Sequence, residues 1–104
     1  MNDDEFESIK QLAAQQQALA KQSVELLAPE VEALIRSKAN DAEDIEHLLD
    51  LLLDVAFLPE GLEQFKKLCR YYLPLNPIVT QGYVHAYRDM WDEIKVTSVI
   101  KNNE

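Results

Sequence analysis

Glycine is scarce in this chain, at two residues in 104, and proline is held to four. All-β folds need turn formers roughly every 8–12 residues, so this shortage argues against a sandwich or barrel. One cysteine, Cys69, leaves no internal disulfide and no multi-cysteine metal site. No uninterrupted apolar run approaches the about 20 residues that span a bilayer. The opening MNDDE is acidic, where a secretory signal starts basic. The expectation is a soluble, cytoplasmic protein with no membrane partner. Positive charge is also sparse: 10 Lys and Arg face 19 Asp and Glu, a net charge of -9. Such a surface repels phosphates and speaks against direct nucleic-acid binding. Neither a phosphate-binding glycine loop nor a nucleophile elbow occurs, because Gly61 and Gly82 stand alone.

What is abundant is helix-forming sequence, rich in Ala, Leu, Gln, Glu and Lys. The length fits a single domain, 1–104, with residues 1–5 and 101–104 expected to fray. At its centre lies IEHLLDLLLDVAFL, residues 45–58, in which ten of fourteen positions are apolar. On a helical wheel these gather into an arc of about 220°, while Glu43, Glu46, Asp50 and Asp54 share the other side. A strand would scatter those carboxylates over both faces. So wide an arc calls for neighbours on two sides. Asn40 is the expected cap of this helix, with Glu43 completing a capping box.

Ahead of it, Phe6, Ile9, Ala13, Ala20, Val24 and Leu27 follow helical spacing, and Gln15 to Gln17 thin the middle. That seam suits close packing within the chain or a coiled-coil-like contact between two chains. Pro29 fits the first turn of a second short helix, or a bent continuation, over residues 28–38. Beyond residue 58, Pro59-Glu60-Gly61 breaks the pattern, and Leu62, Phe65, Leu68, Cys69, Tyr72 and Leu73 mark one face of a further helix. Lys66, Lys67 and Arg70 on its other side are the one local cluster of positive charge, positioned to complement the acidic stripe. Asn76 and Pro77 are a sound cap and first residue for a last helix over 77–95, closing an αα-hairpin. With Tyr83, Tyr87 and Trp91 it carries the heaviest aromatic load, so it and the central helix are expected to form the core. The stretch 73–87 is similar to a junction between tetratricopeptide repeats, but no second copy stands at a 34-residue offset. The expected architecture is all-α, a compact bundle of four to five helices with a leucine-rich central helix.

Few residues offer chemistry. His47, in Asp44-x-x-His47, and His85, four residues before Asp89, have metal-like spacing, but the wheel puts both on polar faces. Cys69 falls on an apolar arc, where burial disfavours the thiolate. No catalytic, cofactor or metal residue is therefore assigned. The main functional feature is the stripe Glu43, Glu46, Asp50 and Asp54: between Ala39 and Phe65 eight acidic residues occur and no Lys or Arg. The sequence points to a non-catalytic protein-interaction module with a protein partner, self-association through the first helix being one form. The alternative is an acidic inhibitor or antitoxin-like binder of a basic protein, docked on that stripe. A helical enzyme or metal protein is the third reading, and no motif supports it.

Overall fold

The computed structural model describes residues 3–92; the end of the expected last helix at 93–95 and the fraying expected at 101–104 lie outside that range. Four α-helices follow one another, α1 (Asp3–Arg36), α2 (Ala42–Asp54), α3 (Pro59–Tyr72) and α4 (Pro77–Tyr87), and α4 runs on into a π-helical turn, Arg88–Asp92. Among the described residues there is no strand.

The acidic lead-in is already helical, since α1 starts at Asp3. It then passes unbroken through Pro29 to Arg36, so of the two expectations for 28–38 the continuation of the first helix holds and the separate second helix does not. A proline inside a helix forfeits one backbone hydrogen bond. Here the helix is held on both sides of it, by buried Val24 and Leu27 before and Val31 after, and Pro29 itself faces outward. Burial of three such side chains, at about 1.5–3 kcal/mol each, outweighs the local cost of about 3 kcal/mol. The helix ends in a Schellman motif: Lys38 takes φ 57°, the Ala39 N–H donates to Leu34 O at 3.2 Å, and the Lys38 N–H donates to Ile35 O at 3.1 Å.

The central helix is capped by Asp41 and not by Asn40. The Asp41 carboxylate accepts from the Glu43 N–H at 2.9 Å and the Asp44 N–H at 3.3 Å. A charged acceptor suits the positive helix end better than an amide does. This start also turns Ile45, Leu48, Leu49 and Leu52 inward. The helix stops at Asp54, and residues 55–57 form the turn into α3. Pro59 occupies the first turn of α3, where its missing N–H costs nothing, so Gly61 lies within the helix rather than ahead of it. Asn76 caps α4 by accepting from the Val79 N–H at 3.1 Å, as its sequence suggests.

The core differs from the expected pairing of the central and last helices. Its buried set comes from the second half of α1 (Leu27, Val31), from α2 (Ile45, Leu48, Leu49, Leu52) and from α3 (Phe65, Leu68, Cys69, Tyr72). On α4 the one fully buried residue is Thr80, while Val79, Tyr83 and Tyr87 pack half-buried against the cluster, joined by Trp91 of the π-helical turn. Rings with polar ends settle at the margin of a core, where the polar end finds an acceptor. A second small cluster, Ala20, Val24, Val55 and Leu58, ties α1 to the turn after α2.

Ala20 is the first buried residue of α1; from Glu5 to Leu19 every side chain is exposed. The first half of the helix therefore projects beyond the bundle. The extents are 53 × 36 × 18 Å and the Cα radius of gyration is 16.6 Å, against about 13 Å for a compact domain of this length.

Candidate functional site

The acidic stripe of α2 divides into an inner and an outer part. Glu46 is half-buried and accepts a 2.7 Å hydrogen bond from the Tyr72 hydroxyl of α3. Asp50 accepts one of 2.7 Å from the Tyr83 hydroxyl of α4, whose oxygen also lies 3.1 Å from the Glu46 carbonyl. Burial, and then the hydrogen bond to the neighbouring carboxylate, push both tyrosine pKa values above their ordinary range. Glu43 and Asp54 stay exposed. Two of the four stripe carboxylates thus fasten neighbouring helices to α2, with the other two turned to solvent. At its lower end α2 is closed by the Trp91 indole N–H, which donates to Leu53 O at 2.9 Å. That carbonyl belongs to the last turn of the helix and also accepts from the Ala56 N–H at 3.3 Å. The Trp91 ring lies 5.3 Å from that of Phe57.

Lys66, Lys67 and Arg70 do not complement this stripe. Lys67 reaches Glu32 of α1 at 3.5 Å, and Glu32 is also 4.0 Å from Arg36. Lys66 and Arg70 instead line a groove of about 350 Å³ between α3 and α4. The groove is walled by Leu62, Phe65, Cys69, Val84 and Tyr87, with Arg88 as its third cation. Among the described residues none of these three cations makes an ion pair. One turn separates Lys66 from Arg70 on one lip, and Arg88 belongs to the chain that forms the other. Cys69 is a buried part of this wall, and burial pushes its thiol up to about 11, with Arg70 pulling weakly the other way. A thiol so placed is a packing group and a poor nucleophile at neutral pH.

His47 and His85 are exposed on α2 and α4. No group of three or more metal-ligating side chains comes together among the described residues. No described helix is long and apolar enough to cross a membrane.

The second apolar surface is on α1 itself. Phe6, Ile9, Leu12 and Leu19 are each more than half exposed, and Leu26, at 74%, continues the row at the base of the projection. Leu12, Leu19 and Leu26 stand at heptad spacing. At that base Leu26, Leu27, Leu51 and Val55 line a shallow cleft. Helical spacing picks out Phe6 and Ile9 of this row together with Ala20, Val24 and Leu27, but passes over Leu12, Leu19 and Leu26 and does not reveal which positions the bundle leaves bare. That depends on where α2 and α3 end against α1, which no local pattern encodes. No known protein family, curated protein or solved structure matches the chain.

Proposed function

We propose that this protein is a non-catalytic interaction module whose docking element is the projecting half of α1. One observation carries the reading: large apolar side chains, Phe6, Ile9 and Leu12 and, beyond the glutamines at 15–17, Leu19, are left exposed on a helix whose other half is built into the core. Exposed large apolar side chains gathered on one helix mark a protein contact, and steps of three, three and seven residues suit such a helix to docking in a groove. The α2 stripe is a weaker docking face, because Glu46 and Asp50 are engaged with Tyr72 and Tyr83.

The test compares the native chain with the double variant Ile9→Lys, Leu12→Lys in affinity capture at low salt and at about 0.5 M salt, where exposed charge pairs are largely screened. A protein partner, including another copy of the chain, that survives salt and is lost with the variant supports the reading, given unchanged helicity. Identical captured proteins for the two chains would remove it.

A further inference from the structure

We infer that the groove between α3 and α4 is a binding site for a medium-chain fatty-acid carboxylate. This site is independent of the docking role of α1.

The inner surface of the groove is apolar. Phe65 and Tyr87 stack across it, 6.0 Å between ring centroids and 28° between planes. Toward the hairpin turn the lining continues with Cys69, Val84 and Leu73. Phe65, Cys69 and Thr80 are buried and form the floor. The Thr80 hydroxyl donates to the Asn76 carbonyl at 2.8 Å, so the floor offers no free hydroxyl donor. Polar recognition is left to the exposed lips.

Those lips are cationic. Lys66 and Arg70 are four residues apart on α3, which sets their Cβ atoms about 5–6 Å apart on one helix face. Arg88 follows Tyr87 on the other side. None of the three has a described acidic partner, and Glu63 and Asp89, the acids nearest them in sequence, do not line the groove. In a chain with a net charge of -9, three unpaired cations around one apolar groove select an anion with an apolar body. A carboxylate accepts from such donors through both oxygens, and arginine can engage it bidentately.

Size selects a single small molecule. The volume of about 350 Å³ lies in the range of small-molecule sites, roughly 300–1,000 Å³. A docked helix, about 10–12 Å across, is wider than the spacing of about 8–10 Å between two packed helix axes, so it would ride on the lips and leave the floor bare. A hydrocarbon chain enters between them. From Lys66 to Leu73 is about 10 Å at the helical rise, which sets the tail at medium length. An anionic membrane surface would repel a chain of this net charge.

Calorimetric titration of the full chain with decanoate, below its micelle concentration, tests the site. One decanoate should bind per chain, and affinity should rise by up to about fourfold per methylene from hexanoate to decanoate. Decanol, which has the same tail and no charge, should bind about tenfold more weakly. The triple variant Lys66→Gln, Arg70→Gln, Arg88→Gln should lose about as much. Its three positions are exposed, so circular dichroism and melting temperature should stay native. The Ile9→Lys, Leu12→Lys variant should bind decanoate as the native chain does. Absence of saturable uptake would overturn the inference, as would equal affinity for decanol or undiminished binding by the triple variant. Loss of decanoate binding in the Ile9→Lys, Leu12→Lys variant would overturn it by assigning the tail to the projecting helix. Uptake confined to phosphatidylglycerol vesicles would overturn it in favour of a membrane contact.

Discussion

Gly61 sits where α3 passes over the end of α2. A Cβ built on it would lie 2.0 Å from the Val55 carbonyl oxygen and 2.8 Å from the Val55 carbonyl carbon, both backbone atoms of the turn. Neither can rotate out of the way as a side chain would. Alanine gains up to about 1 kcal/mol in helix propensity, but the overpacking costs about 1–3 kcal/mol or more. Gly61→Ala should therefore lower stability by about 1–2 kcal/mol in chemical denaturation, while Gly82→Ala, with open space around its Cβ, should be neutral or stabilising. Tyr83 makes a different kind of contribution. Its folded pKa lies above the unfolded value of 10.0, so its hydrogen bond to Asp50 acts fully below pH 10 and is lost as pH rises beyond it. Tyr83→Phe should cost about 1 kcal/mol at neutral pH. It should also make stability fall less steeply above pH 10 in denaturation followed against pH.

At the scale of elements, the ends of the helices hold most of the specificity. Lys38 closes α1 in the left-handed region at φ 57°, a conformation that glycine adopts without steric cost. Lys38→Gly should raise stability by about 0.5–1 kcal/mol, measured by thermal or urea unfolding. Much of this layer was legible. The carboxylate stripe and leucine arc located α2, and the Asn76-Pro77 pair located the start of α4. Four features were not legible, each for a physical reason. Asn40 and Asp41 are both good caps, and only the inward set of Ile45, Leu48 and Leu49 decides between them. Pro29 carries a local penalty, and the compensating burial of Val24, Leu27 and Val31 comes from partners distant in sequence. The aromatic content of the last helix implied a core position, yet Tyr83 and Trp91 have polar ends that reach Asp50 and Leu53 at the margin. The groove was hidden because Lys66 and Arg70 follow the acidic helix closely in sequence, while the packing of α3 carries them to the side facing α4 and Arg88.

The whole molecule joins two regimes along one helix. Residues 5–19 of α1 have backbone hydrogen bonds but no buried side chain, while residues 20–35 are fixed against α2 and α3. An isolated helical segment of this length is marginal in water. In dilute solution the amides of residues 7–17 should exchange with deuterium orders of magnitude faster than those of Leu48 to Leu52, with the boundary near Ala20. Protection that spreads to Phe6 on raising the chain concentration would mark contact with another molecule, and uniform protection at all concentrations would contradict the division.

An unbroken helix that leaves its anchorage at Ala20 also behaves as a lever. Phe6 lies fourteen residues beyond Ala20, about 21 Å at the helical rise. A tilt of about 5° at the anchorage, well within the gentle bending of long helices, would sweep the Phe6 ring through about 2 Å. Any surface that receives the tip must follow that arc or arrest it. Arresting it would transmit the restraint back along α1 to Val24 and Leu58, so the small packing cluster there is the place where an event at the far end would be felt.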